Sequence, residues 1–463
     1  MNKKFDYDVI IIGGGPAGIF TALELLKSGK QIKILLLEKG KSIEKRYCVS
    51  SDKGQKCIGC KPCSIMTGWG GAGAFSDGKL TLTTEFGGIL GEYITDEALM
   101  NLIEYIDNIY VEFGGTTEVH GTDNKKIREL ERKAAASDLR FIPAKIKHLG
   151  TDKCYEILKN MQEFLKERIE IRFLDSVDDI LVSEGRVSGI KTTKGETFTA
   201  EYVVAAPGRE GSDWFRSVTK KLNLETAKNP VDIGVRVEVP AVVMQEIADA
   251  VYESKLIYYT KSFDDRVRTF CMNPNGKVVV ENTEGLKTVN GHSYKDLKTS
   301  HTNFALLVSK DFTSPFDSPI AYGKYVASLA NMLGDGVIVQ RLGDLLDGRR
   351  STPERIKRSL LQPTLAEAVP GDLSLVLPYR FLTDIIEMLQ ALDKIAPGVY
   401  SKHTLLYGVE VKFYSSRVKV SDKLETQINN LFAIGDGAGI TRGLAQASAS
   451  GVFVARKILD RLA

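Results

Sequence analysis

Between Tyr7 and Glu38 the chain reads apolar strand, glycine turn, helix, apolar strand, acid, and few folds accommodate that order. Tyr7–Ile12 and Ile32–Leu37 are nearly continuous apolar runs, as expected of strands in a parallel sheet covered on both faces. Pro16–Lys27 places Ala17, Phe20, Leu23 and Leu26 on one helical face. The turn Gly13-Gly14-Gly15-Pro16-Ala17-Gly18 fits G-x-G-x-x-G. Gly13 permits the tight turn, Gly15 lets the backbone approach a pyrophosphate, and Gly18 lets helix and strand pack closely. The helix N-terminus, opened by Pro16 and Ala17, offers free N–H groups and a positive dipole end to phosphates. Glu38, about 20 residues past Gly18, stands where an acid accepts ribose hydroxyls, with Lys39 beside it. A second match, Gly68-Trp69-Gly70-Gly71-Ala72-Gly73, has no strand before it and no strand-ending acid after it. It is predicted not to be a second dinucleotide fingerprint.

The fold class expected is α/β: a Rossmann-type domain with a mostly parallel sheet, assembled from residues 1–213 and 404–463, and an inserted α+β substrate domain over 214–403. A chain of 463 residues exceeds what one core usually supports. Residues 95–113 and 153–168 have helical spacing, and 177–205 reads as a small β-meander leading into a buried strand at Tyr202–Ala206. With 62 Lys+Arg against 59 Asp+Glu, the balance argues against nucleic-acid binding. No apolar run has the length of a membrane span, so the expected location is the cytoplasm, without membrane partners.

Val203-Val204-Ala205-Ala206-Pro207-Gly208 resembles a strand-turn of glutathione-reductase-like flavoproteins. Leu431-Phe432-Ala433-Ile434-Gly435-Asp436-Gly437 resembles their C-terminal Gly-Asp segment, and Gly443–Gly451 resembles the turn and helix start that meet the flavin ring. Gly70–Leu80, Lys261–Asp265, Asn290–Tyr294 and Gly408–Tyr414 resemble the bacterial and archaeal FAD-dependent dehydrogenase group, which sits beside fumarate-reductase-like flavoproteins. The resemblance implies FAD as cofactor. It implies contacts from Gly71, Gly73, Ala74, Asp77, Gly78 and Lys79, from Val177, Ala206, Gly208 and Arg209, and from Gly435, Asp436, Gly443, Ala445, Gln446 and Ala447. Such a helix start favours negative charge on reduced flavin.

Cys57-Ile58-Gly59-Cys60-Lys61-Pro62-Cys63 is C-x2-C-x2-C, with Cys48 nine residues before Cys57. Its start resembles bacterial ferredoxins, which implies a [4Fe–4S] cluster. The fourth ligand would come from Cys48, Cys154 or Cys271. A structural zinc, a redox-active dithiol and unligated thiols are the other readings.

The activity expected is two-electron transfer between a small-molecule substrate and flavin at the seam of the domains, with NAD(P)H or a ferredoxin-like carrier as electron partner. A flavin-dependent RNA-modifying enzyme and a non-catalytic redox sensor are the alternatives. The chain could also assemble as a homo-oligomer. Cations and proton donors suit an acidic or carbonyl substrate. The candidates are His292, Lys79 and Arg380, with Arg266, Arg268, His403 and Arg417 behind them.

Overall fold

The computed structural model describes residues 5–48, 60–76, 78–227, 229–283, 285–293, 298–313, 315–316, 318–412 and 417–462. They form two units, one of residues 1–118, 147–229 and 414–463, the other of 119–146 and 230–413.

The first unit is built on a seven-stranded sheet. Tyr7–Ile12 lies parallel to Ile34–Glu38 on one side and to Thr197–Ala205 on the other. Glu170–Phe173 extends one edge, and Leu431–Ala433 returns from the C-terminal region to pair with Thr197–Ala205, both in parallel. Val9, Ile10, Ile11, Leu35 and Leu36 are fully buried, which explains why these strands lack polar alternation. The helices Pro16–Lys27 and Leu444–Arg461 touch through a glycine: a Cβ on Gly451 would stand 2.2 Å from the Ala17 carbonyl oxygen. The Thr21 hydroxyl donates to that carbonyl at 2.8 Å. Thr95 caps the helix Asp96–Glu112 by accepting from the Ala98 N–H at 3.2 Å.

The meander and the strand expected after it are one element. Thr197–Ala205 pairs antiparallel with Arg186–Thr192 through Thr197–Thr199, then parallel with Tyr7–Ile12 from Ala200 onward. The unit boundaries also differ from 213/214 and 403/404. Helix Ser212–Lys221 packs in the first unit, and Leu405–Lys412 is a strand of the second. The second unit also takes residues 119–146, because Arg140–Ile142 pairs with Lys255–Tyr259.

The second unit is an eight-stranded, mostly antiparallel sheet. Along Val231–Pro240 the residues Val231, Ile233, Val235, Val237 and Val239 enter an apolar core with helices Ala241–Val251, Pro319–Gly334 and Tyr379–Asp393. Asp232, Arg236 and Glu238 alternate onto the opposite face. There Arg236, fully buried, donates to both Glu410 oxygens at 3.3 and 3.2 Å, to Asn303 Oδ1 at 2.9 Å and to the Cys271 carbonyl at 2.8 Å. Among the described residues no helix is long and apolar enough to cross a membrane.

A carboxyl pair ties helix Tyr379–Asp393 to this sheet. Arg380 donates to Asp265 at 2.5 and 2.8 Å, Lys310 pairs with the same carboxylate, and the Thr260 hydroxyl donates to Asp384 at 2.7 Å. Burial raises both carboxyls. The Arg380 and Lys310 hydrogen bonds nevertheless hold Asp265 down at about 2, while Asp384 beside it is pushed up to about 6. An acid whose folded pKa exceeds its unfolded value stabilises the fold at low pH and loses that contribution as pH rises through the folded value. Asp384 therefore costs stability above about pH 6. Asp384→Asn mimics the protonated acid. It is expected to raise Tm at pH 8 and to change it little at pH 4; an equal shift at both would contradict this assignment.

Candidate cofactor site

The glycine turn has the geometry its spacing requires. Gly13 sits at φ 109°, and a Cβ there would meet the Ala206 carbonyl oxygen at 2.1 Å. A Cβ on Gly18 would stand 2.0 Å from the Gly13 carbonyl oxygen. A Cβ on Gly15 meets nothing within 4 Å: the strand-to-helix turn presents bare backbone to open space at the helix N-terminus. Glu38 is locked across this turn. Its Oε2 accepts from the Gly14 N–H at 2.8 Å and its Oε1 from the Gly40 N–H at 2.7 Å. Each oxygen keeps a lone pair for a further donor.

A cleft of about 280 Å³ opens beside the turn. Gly13, Gly15, Glu38 and Lys39 line it from one side, and Val177, Ala206, Gly208 and Arg209 from another. Thr67, Asp175 and Trp214 also line it, and no motif marks them. The Thr67 hydroxyl is buried there without a hydrogen-bond partner. A partnerless buried hydroxyl, a bare backbone edge and a locked acid suit the ribose and pyrophosphate of a dinucleotide.

The second glycine motif forms the wall of this cleft and is no second fingerprint. Gly71–Phe75 is a 3-10 turn, and the Gly70 N–H donates to the Gly14 carbonyl at 2.7 Å. Trp69, fully buried, donates from Nε1 to the Leu158 carbonyl at 2.8 Å. Arg46 organises the segment. Its guanidinium donates to the carbonyls of Ser64 (2.8 Å), Ile65 (2.7 Å), Trp69 (2.5 Å) and Gly71 (2.9 Å), and lies 4.9 Å from the Phe75 ring centroid. Burial pushes this guanidinium down to about 10, against the opposing pull of Glu38 and Cys63.

The C-terminal segment adjoins the cleft through Arg209, whose Nε lies 3.9 Å from Asp436 Oδ2. Burial pushes the Asp436 carboxyl up, opposed by Arg209 and by the Thr441 hydroxyl, which donates to Oδ1 at 2.7 Å. A Cβ on Gly435 would stand 3.2 Å from that of Ala17, which sets this segment against the glycine-turn helix. Gly443 precedes the helix Leu444–Arg461, on which Ala445, Gln446 and Ala447 are buried. Gln446 staples a neighbouring loop, accepting from the Leu90 N–H and donating to the Phe86 carbonyl, each at 3.3 Å. Gly73 and Ala74 belong to the 3-10 turn, and Lys79 begins the strand Lys79–Leu82. A Cβ on Gly78 would meet the Cys154 sulfur at 2.2 Å. Asp77 lies outside the described residues.

The three foremost catalytic candidates occupy three separate elements. Lys79 is in the first unit; in the second, His292 ends the hairpin strand Leu286–His292, and Arg380 is held by Asp265. His403 Nδ1 lies 3.2 Å from the Ser359 hydroxyl, and burial lowers its pKa. Arg417 pairs with Glu92. Cys60 is exposed, Cys48 and Cys63 are partly exposed, and Cys57 lies outside the described residues. Cys154 is buried in helix Thr151–Lys166, and Cys271 belongs to the second unit. Among the described residues no three His, Cys, Asp or Glu side chains gather to hold a metal.

Residues 230–413 match the family model described as FAD-dependent protein, C-terminal domain-like. Over those residues the chain is similar to the C-terminal domain of FAD-dependent proteins. The limits of the match coincide with the larger segment of the second unit. An uncharacterized protein of Clostridium beijerinckii is 27% identical over 485 residues, covering 98% of this chain and 80% of its own length. Distant likenesses among solved structures include L-proline dehydrogenase from P. horikoshii (12% identity, TM-score 0.43, 98% of this chain and 94% of that one). Glycine oxidase from Bacillus cereus is another (13%, 0.37, 98% and 96%).

Proposed function

We propose that this protein is an FAD-dependent oxidoreductase that binds FAD in the cleft beside Gly15 and moves two electrons between the flavin and a small molecule. The observation that supports the reading is the occurrence, on one chain, of that cleft and of a segment matching the C-terminal domain-like model of FAD-dependent proteins. Bound flavin supplies the two-electron chemistry. The chain's own residues bind and orient it. The turn from Gly13 to Gly18 receives the pyrophosphate, Glu38 and Thr67 the ribose, and Asp436 with Arg209 the segment between pyrophosphate and flavin. Anaerobic titration with a panel of small organic acids is expected to bleach the flavin band with at least one of them. A flavin that exchanges electrons with no small molecule would overturn the oxidoreductase assignment.

Coupling to a [4Fe–4S] cluster rests on the spacing of Cys57, Cys60 and Cys63. It predicts about four irons per chain in protein purified without oxygen. Iron-free protein would leave these thiols to zinc or to dithiol chemistry, with NAD(P)H as the first electron donor to test.

A further inference from the structure

One face of the second unit's sheet concentrates cations among aromatic rings. The strand Arg266–Asn273 places Arg266, Arg268 and Phe270 on one side, while Val267 and Met272 enter the apolar core on the other. Cys271, at φ 46° where the register with the neighbouring strand shifts, is the extra residue of a bulge. Arg236 holds its carbonyl. Bulges re-aim the side chains next to them. The register adds Tyr259 opposite Arg266, and Arg140 and Arg268 on either side of Ile257. Around the Phe270 ring stand Lys255 at 4.4 Å, Arg268 at 4.8 Å and Lys412 at 5.7 Å from its centroid. Three of these cations have carboxylate partners: Lys255 with Glu253, Arg268 with Asp232, Lys412 with Glu410.

Arg266 differs. Among the described residues no carboxylate lies within ion-pair distance of it, and it is exposed beside Tyr259, which is 57% exposed. Partial desolvation of its guanidinium by the neighbouring side chains, then repulsion from Arg268, lowers its pKa, against the weaker pull of Tyr259 and Asp232. A planar cation without a partner, crowded by other cations and flanked by aromatic surface, gains most from an incoming carboxylate carried on an apolar body.

We propose that this sheet face binds a small organic carboxylate, with its anionic end on Arg266 and Arg268 and its apolar body against Tyr259 and Phe270. That the bound acid is the substrate of the flavin rests on the function proposed above; the binding itself does not. The test is calorimetric titration of the full chain, as purified, with benzoate, with neutral benzamide and with inorganic phosphate. Flavin content is measured on the same samples. Benzoate is expected to bind. Arg266→Gln, at an exposed position, should weaken it at least about tenfold and Arg266→Lys less, the bidentate fork being lost but the charge kept. Benzamide and phosphate should bind far more weakly. Equal benzoate affinity in wild type and Arg266→Gln, or benzamide or phosphate binding as tightly as benzoate, would overturn the proposal. Benzoate binding that follows this pattern in protein that takes up no flavin after incubation with excess FAD would support the site and sink the cofactor reading alone.

Discussion

Replacing Gly15 by Val is expected to give a folded protein that does not retain flavin. Gly15 precedes the first helix in an extended conformation, φ −83° and ψ −179°, which any residue adopts, and nothing stands within 4 Å of where its Cβ would be. The new Cβ therefore meets no protein atom, and losing Gly before the helix costs on the order of 1 kcal/mol or less. On the function proposed above, the space it fills is the one that receives the pyrophosphate. Cofactor affinity should fall on the order of a hundredfold, about 2.7 kcal/mol of binding energy. Gly13→Ala should behave in the opposite way. Its φ of 109° and the Ala206 carbonyl 2.1 Å from the new Cβ make it a folding defect first. Thermal melts and flavin absorbance on both variants separate the two effects. Equal flavin retention in Gly15→Val and wild type would remove the pyrophosphate from this turn.

The second large effect is expected at Arg46. Replacing it by Met keeps the apolar stem and leaves four carbonyls, of Ser64, Ile65, Trp69 and Gly71, without their common donor. Each carbonyl that stays buried without a partner costs about 1–3 kcal/mol, so a total of about 3 kcal/mol or more is expected. That corresponds to a fall in Tm on the order of 5–10 °C. Lysine should rescue little, since a point charge cannot serve four acceptors arranged around a plane. Because these carbonyls shape the wall of the cleft, flavin release on heating should come earlier in the variant, ahead of global unfolding. A variant as stable as wild type would show that the segment 64–71 is held by its packing through Trp69 and not by the guanidinium.

The two sites were unequally legible in the sequence. Gly13, Gly15, Gly18 and Glu38 announce themselves because their roles are local: strand, turn, helix and second strand occur in one short run, and each residue acts on its near neighbours. The return of Leu431–Ala433 to the sheet, and Asp436 after it, were legible only through resemblance, since the pairing with Thr197–Ala205 joins residues about half the chain apart. Arg46 was invisible. Its partners are backbone carbonyls, which carry no residue signature, and it sits in a stretch dominated by cysteine and glycine. The same holds for Thr67, whose importance lies in the absence of a partner. Arg140–Ile142 looks from sequence like part of the first domain's neighbourhood, yet it is an edge strand for Lys255–Tyr259. Short edge strands lack the alternation that marks longer ones. Arg266, Arg268 and Phe270 alternate plainly, but the bulge at Cys271 that ends this pattern is a backbone feature.

Whether FAD binds in the cleft beside Gly15 is decided by counting it. The full chain, purified and then incubated with excess FAD and desalted, is denatured, and the released flavin is identified and counted by chromatography. One FAD per chain is expected, and loss of it in Gly15→Val. A protein that remains colourless after incubation, or that releases as much FAD from Gly15→Val as from wild type, would contradict binding in this cleft.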